Sequence, residues 1–353
     1  MWLQNSTLHQ INSTDSIEKA TGEKSTALYL SVIILLFSVG FIGNVLILSA
    51  VYLQKKLREI GYAFSCNLAI SDICVLVLSD IFIIVGIGSD GEVLLNHPTL
   101  CKMSSYLCLA ICSCSIWNIA MGSLHSCIRI CFRLQYHKIF TKNTVGLFLI
   151  STWLFAFIVL SPTLFGWGNH VYDPLYYYCV FNYKASKSYT VFLVAFGVIV
   201  PFLITACSFI MIIFNVVSSR ITVRQSLNGS RHKKIEVQPT EVPAMCWGER
   251  YAASSPRQQP ARINSADLRL LRSFLFIALY MITSWLFLLV IWLSTLDFSP
   301  NQKIVAMTIA HTHCSINGLL YIATNKYFRK AAIQIVNCKQ GKSGPKTMKT
   351  QNS

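Results

Sequence analysis

Asn44, Asp72, Ser115, Asn317 and Tyr321 are polar side chains set into strongly apolar runs, and their types could do chemistry together. A carboxylate deep in an apolar segment is costly unless a cation, a proton or hydrogen-bond donors face it. Asn44, Ser115 and Asn317 offer the oxygens and donors to hold Asp72, with a sodium ion at Asp72 and Ser115, or a proton, as counter-charge. The alternative is a polar network that only joins helices. Asp80 lies two helical turns further along the same run, where it either lines a cavity or reaches the headgroups. His311, His313 and Cys314 are metal-ligating types, but they lack a third ligand at metal spacing. No nucleophile–base pair stands out, so the chain is not expected to be an enzyme.

The elements that must carry these residues follow from composition. The 353 residues are 54% hydrophobic and 12% charged, with a mean hydropathy of +0.52. Soluble domains carry about 25% charge, so the main solvent here is lipid. A span needs roughly 20 apolar residues, and seven stretches qualify: 27–53, 63–88, 103–128, 145–167, 189–217, 274–295 and 304–324. Asp72 and Asp80 place the only full charges inside them. An all-α bundle of seven membrane helices is therefore expected.

The net charge of +16 on a soluble chain would suggest nucleic acid. Sorted by segment, 24 of the 30 Lys and Arg fall at the loops after spans 1, 3 and 5 and in the C-terminal tail. The side with more Lys and Arg is cytoplasmic, which puts the N-terminus outside and leaves no role for nucleic acid. The expected organisation is an extracellular tail at 1–26, a seven-span bundle at 27–324 with a polar, flexible inside loop at 218–266, and a cytoplasmic helix and tail at 325–353. The first 25 residues are polar, so the first span is expected to act as its own signal anchor. Asn5 and Asn12 head glycosylation sequons on the outer side. Of 13 cysteines, Cys101 and Cys179 alone fall in oxidising positions. Unpaired they would be a liability, so a disulfide is the favoured reading and two free thiols the alternative.

Gly43-Asn44-Val45, Leu68-Ala69-Ile70-Ser71-Asp72 and Asn317-Gly318-Leu319-Leu320-Tyr321, with Trp153, Pro201 and the Cys101/Cys179 pair, resemble the signatures of rhodopsin-like G-protein-coupled receptors over about residues 28–338. Within that family the chain is most similar to the melatonin receptors. Lys55-Lys56-Leu57-Arg58, Ser115-Ile116-Trp117-Asn118-Ile119, the run from Ile130 to Lys138, and Tyr172-Asp173-Pro174 carry this resemblance, as does a residue other than Pro at Gly318. It implies a plasma-membrane receptor with a small-molecule ligand, a heterotrimeric G protein and arrestin as partners, and homo- or hetero-oligomers as a further option. Phe328, Ile335 and Val336 would form the apolar side of a short helix lying on membrane lipid, with Cys338 a palmitoylation candidate.

The departures matter as much. The family's Asp/Asn-Arg-Tyr motif aligns with His125-Ser126-Cys127, which the resemblance implies, with Arg129, to be the G-protein-facing surface; its arginine is Ser126, and Arg129 is either a partial substitute or a headgroup anchor. Trp285 matches the toggle tryptophan of span 6, but the proline two residues on is Phe287; the span 5 tyrosine is Phe209. Cys108 stands where amine receptors carry a carboxylate, and His311 where opsins carry the retinal lysine, so a neutral, largely apolar ligand is expected. Of the melatonin-pocket contacts, the outer-loop aromatic matches Phe181, while Tyr183, Thr163 and Gly197 replace the other three. A coupling-deficient decoy or heteromer partner is the alternative function, and a transporter a remote one.

Overall fold

The computed structural model describes the backbone of residues 2–233 and 265–336 and the side chains of residues 25–218 and 268–335. Asn5, Asn12 and Cys338 lie outside the described side chains. In chain order the elements are α1 (Trp2–Leu53), α2 (Tyr62–Gly88), the short α3 (Glu92–Asn96), α4 (Pro98–Cys131), the short α5 (Arg133–Ile139), α6 (Lys142–Leu160), the hairpin strands β1 (His170–Asp173) and β2 (Tyr178–Phe181), α7 (Lys187–Val194), α8 (Val200–Lys233), α9 (Ser265–Leu293), α10 (Pro300–Thr324) and α11 (Lys326–Val336).

Six segments, Ser25–Leu53, Tyr62–Gly88, Pro98–Cys131, Lys142–Phe165, Lys187–Ser218 and Leu268–Leu293, are long and apolar enough to cross a membrane. The seventh is α10. Its 25 residues extend about 38 Å at 1.5 Å per residue, and its lower hydropathy comes from His311, Thr312, His313 and Asn317. Burial runs opposite to a soluble protein. On α6, Leu147, Ile150, Leu154 and Ile158 form one stripe and are all more than half exposed, as a lipid-facing helix requires. The most apolar part of α4 is 72% buried against 28% for α1 and α6, so α4 is the central helix.

Local signals set the ends. Thr141 caps α6 by accepting from the Thr144 N–H, and Ser299 with Gln302 forms a capping box ahead of Pro300 on α10. Between α7 and α8 the helix widens into one π-turn at Ala195–Ile199. Pro201 follows it and has no N–H to return to the widened turn. The Phe196 carbonyl instead accepts from the Trp117 indole at 3.0 Å. By contrast α9 runs unbroken past Phe287, as expected where the proline is missing.

The apolar segments Ser25–Leu53 and Lys187–Ser218 lie within two residues of the expected spans. Helical backbone extends beyond both, from Trp2 in α1 and to Lys233 in α8. No proline interrupts either stretch after the first turn, so nothing in the backbone chemistry stops the helix.

Two close approaches fix the bundle. A Cβ on Gly318 would fall 2.6 Å from the Gly43 Cα, so α1 and α10 touch backbone to backbone there. At the other end, a Cβ on Gly86 would collide with the Tyr177 carbonyl, because the hairpin turn lies directly on α2. The disulfide Cys101–Cys179 is formed, with a Cα–Cα distance of 5.4 Å, and ties the first turn of α4 to β2. In the hairpin His170 pairs with Phe181 and Tyr172 with Cys179.

Candidate ligand pocket and polar core

Asp72 is fully buried at mid-depth on α2. Asn317 Nδ2 on α10 donates to one carboxylate oxygen at 2.7 Å, and Ser115 Oγ on α4 lies 3.3 Å from the other. Asn44 makes no direct hydrogen bond to Asp72, and its Oδ1 is buried with no partner among the described residues. Its amide donates to the Gly40 and Cys314 carbonyls at 3.0 and 2.8 Å, fastening α1 to α10. Tyr321 donates to Ser65 Oγ at 2.8 Å, one turn nearer the end that carries α11. Packing places Asp72 beside His313 and Cys314, a neighbour that their spacing in sequence does not show. The three offer donor atoms within 4.8 Å of one another, because α2 and α10 pack face to face. Sequence reading also passed over a second seam. Trp153 on α6 donates to Asn67 on α2 at 2.9 Å, Asn67 donates to Asn118 on α4 at 3.1 Å, and Asn118 donates to the Phe64 carbonyl at 2.7 Å.

Above Asp72, at the hairpin end, a narrow, tightly packed cleft with about 50 Å³ of free space lies between α2, α4, α9, α10 and the hairpin. Phe181, Cys108 and Trp285 line it, together with Cys112, His311 and Trp292. Tyr183 lines an adjoining recess with Phe181 and Trp292. Thr163 and Gly197 stand elsewhere. The Thr163 hydroxyl is spent on the Leu160 carbonyl at 2.9 Å, and Gly197 sits in the π-turn facing Leu193 and Ser113.

The walls are aromatic and mostly apolar. The Phe181 ring lies 5.5 Å from Trp292 and 5.7 Å from Tyr189, both edge-on. Trp292 meets Trp285 at 6.4 Å, and Trp285 lies 5.9 Å from the His313 ring. The cleft is therefore linked by ring contacts to the polar core. The Trp285 indole N–H is buried with no partner among the described residues. Asp80 is buried, accepts from Ser79 Oγ at 2.9 Å and lies 3.9 Å from His311 Nδ1; the headgroup alternative does not apply. Outside the spans, His170 sits between Tyr106 and Phe181 with Nδ1 2.7 Å from Ser105 Oγ. Burial pushes its imidazole down to about 4.

At the opposite end His125, Ser126 and Cys127 are buried and do not present themselves at the surface. His125 is caged by the rings of Phe64, Tyr136 and Phe140, with Nε2 3.0 Å from the Tyr136 hydroxyl. Ser126 Oγ turns back to the Gly122 carbonyl at 2.9 Å. Arg129, a turn further along α4, reaches the rim, where it pairs with Glu59 at 2.9 Å and lies 5.6 Å from the centre of the Tyr136 ring. It is thus engaged in a protein ion pair and is more than a headgroup anchor.

Comparison with known proteins agrees with this geometry. Residues 43–321 match the model of the seven-transmembrane receptor (rhodopsin) family, and the chain belongs to that family. Membership places it among multi-pass membrane receptors and not enzymes. It is similar to melatonin receptor type 1B of Rattus norvegicus, 28% identical over 62% of this chain and 60% of the relative, and to type 1A of Mus musculus, 32% identical over 51% and 50%. The match to type 1B-B of Danio rerio is 24% identical and spans 92% of this chain and 88% of that one. The chain thus spans from half to three-fifths of the rat and mouse relatives it matches. Squid rhodopsin superposes with a TM-score of 0.66 at 18% identity, covering 90% of this chain and 89% of that one, which shows the shared fold.

Proposed function

We propose that the chain is a melatonin-receptor-like receptor that takes a small, neutral and largely apolar ligand at the hairpin end and signals through a heterotrimeric G protein at the other. The observation that carries this is the cleft beneath β2. Phe181, Trp292 and Trp285 form a continuous aromatic wall, and its floor rests on the His313 ring beside Asp72. A ligand seated there shifts the bundle only by its differential affinity for two arrangements, and the Trp285–His313 contact offers a route. Among the described residues no carboxylate lines the cleft wall itself, which disfavours a cationic amine. Asp80 stands behind His311. Melatonin-type contacts are incompletely kept, so related neutral aromatics are the first class to screen.

The orientation proposed is N-terminus and hairpin outside, with the basic end in the cytoplasm. The 24 Lys and Arg on that side support it, and they would also face anionic lipid and arrestin. A decisive test is ligand-dependent nucleotide exchange on each G-protein class with the cell-surface-expressed chain. Activation lost in Phe181→Ala supports the reading. Saturable ligand binding with silence in every class would overturn coupling and favour a decoy or heteromer partner, a role the buried Ser126 at the motif position is compatible with.

A further inference from the structure

Asp72 on α2 and the adjacent His313 and Cys314 on α10 bring one oxygen, one nitrogen and one sulfur within 4.8 Å of one another, all buried. Each is held by an orienting partner. His313 Nδ1 lies 2.5 Å from the Ala310 carbonyl. A carbonyl only accepts, so Nδ1 carries the ring proton and the Nε2 lone pair faces Cys314 Sγ at 3.0 Å. That is how proteins present an imidazole to a metal, with the second nitrogen fixed by a backbone carbonyl. Asn44 anchors the Cys314 carbonyl, and Asn317 with Ser115 orients Asp72 while leaving each carboxylate oxygen a lone pair.

The donor set discriminates between cations. A hard ion such as Na⁺ needs several oxygens, whereas Asn317 points its amide nitrogen at Asp72 and the Asn44 amide nitrogen is spent on the Gly40 and Cys314 carbonyls. Beside the Asp72 and Ser115 oxygens, the grouped donors are an imidazole and a thiol, which suit Zn²⁺ and its neighbours. Charge agrees as well. Carboxylate, thiolate and neutral imidazole sum to two negative charges, which a divalent ion cancels in a water-poor interior. Tetrahedral bonds of about 2.0–2.3 Å place donors roughly 3.5 Å apart, so modest side-chain rotation closes the triangle.

We propose that Asp72, His313 and Cys314 form a binding site for a soft divalent transition metal, represented by Zn²⁺, that clamps α2 to α10 beneath Trp285. Binding exchanges the Cys314 thiol proton, and any proton on Asp72, for the ion, and no redox change is involved. Water or Ser115 Oγ takes the fourth position. The inference does not depend on the identity of the pocket ligand or on coupling. Because the Trp285 ring contacts His313, the ion would also set how readily the cleft floor moves.

The test uses the full chain, purified and stripped with a chelator, then titrated with Zn²⁺, Co²⁺, Mg²⁺ and Na⁺. The expected result is one Zn²⁺ per chain, a raised thermal midpoint with Zn²⁺ but not Mg²⁺, and a sulfur-to-cobalt charge-transfer band with Co²⁺. Cys314→Ser and His313→Asn should each weaken binding by at least about 10–100-fold, the loss seen even for outer-layer partners, while Cys207→Ser leaves it intact. Should neither variant fold, X-ray absorption at the zinc edge of the wild-type chain still decides, since one sulfur neighbour is required. A zinc shell without sulfur, a cobalt band that survives Cys314→Ser, or stabilisation by Na⁺ alone would overturn the proposal.

Discussion

Phe181 touches Trp292 and Tyr189 edge-on while its own ring forms part of the cleft wall. Truncation to Ala would remove the wall and both ring contacts, and a central aromatic of this kind is worth about 2 kcal/mol of binding, or roughly 30-fold in affinity. Radioligand or fluorescence competition reads it, with Thr163→Ala as a variant expected to bind normally because that hydroxyl is spent on its own helix. His170 gives a pH signature at the same end. An ordinary imidazole titrates near 6.5, whereas burial holds this one at about 4. Above 6.5 both folded and unfolded forms are neutral and the full contribution is present. As pH falls from 6.5 towards 4 the unfolded form takes the proton and the folded form does not, so stability drops across that window and levels off below it. Hydrogen-exchange protection factors in the hairpin, corrected for the intrinsic pH dependence of exchange, should fall between pH 7 and 5 in the wild type, and His170→Gln should flatten the dependence.

Apolar bulk is solvated nearly as well by lipid, so small residues that let backbones approach weigh heavily at membrane helix contacts. The seam of α1 and α10 is the clearest case. Gly318→Ala would drive a methyl into the Gly43 backbone at 2.6 Å, and backbone cannot swing aside. A loss of about 1–3 kcal/mol is expected, read as a lowered thermal midpoint in detergent and fewer chains at the cell surface. At the basic end, Arg129 of α4 pairs with Glu59 in the link between α1 and α2. The pair is half-exposed and contributes under about 1 kcal/mol to stability, but it tethers the end of α4. Glu59→Gln should leave the thermal midpoint nearly unchanged and raise basal nucleotide exchange; an unchanged basal rate would show that the tether does not restrain the bundle.

Over the whole chain, the hairpin lid depends on one covalent tie. Cys101 and Cys179 are 78 residues apart in sequence, and β2 carries both Cys179 and Phe181. Reducing the bond, or the Cys101→Ser variant, should cost about 2–4 kcal/mol and, more tellingly, weaken ligand binding beyond the change in thermal midpoint, because the lid loses its position over the cleft. Binding that survives with full affinity would mean that the contact of the hairpin turn with α2 at Gly86 is enough to hold Phe181.

Much of this molecule is legible before any coordinates. Seven apolar runs, one-sided Lys and Arg, and signature residues in Gly43-Asn44, Asp72 and Asn317-Gly318 specify a membrane bundle of this family, because lipid admits only helices whose backbone bonds close within the segment. What spacing along one chain cannot carry is which side chains meet across helices. His313 and Cys314 look short of a third ligand in sequence, and Asp72 reaches them only through packing of α2 on α10. Ser126 reads as a surface motif and is buried. Thr163 reads as a pocket residue and turns into its own helix. Helix existence is set by local apolarity and backbone chemistry, so the sequence alone determined the architecture. The rotation and depth of each helix are set by contacts such as Gly43 on Gly318, so only the tertiary structure decided which residues face the cleft and the buried core.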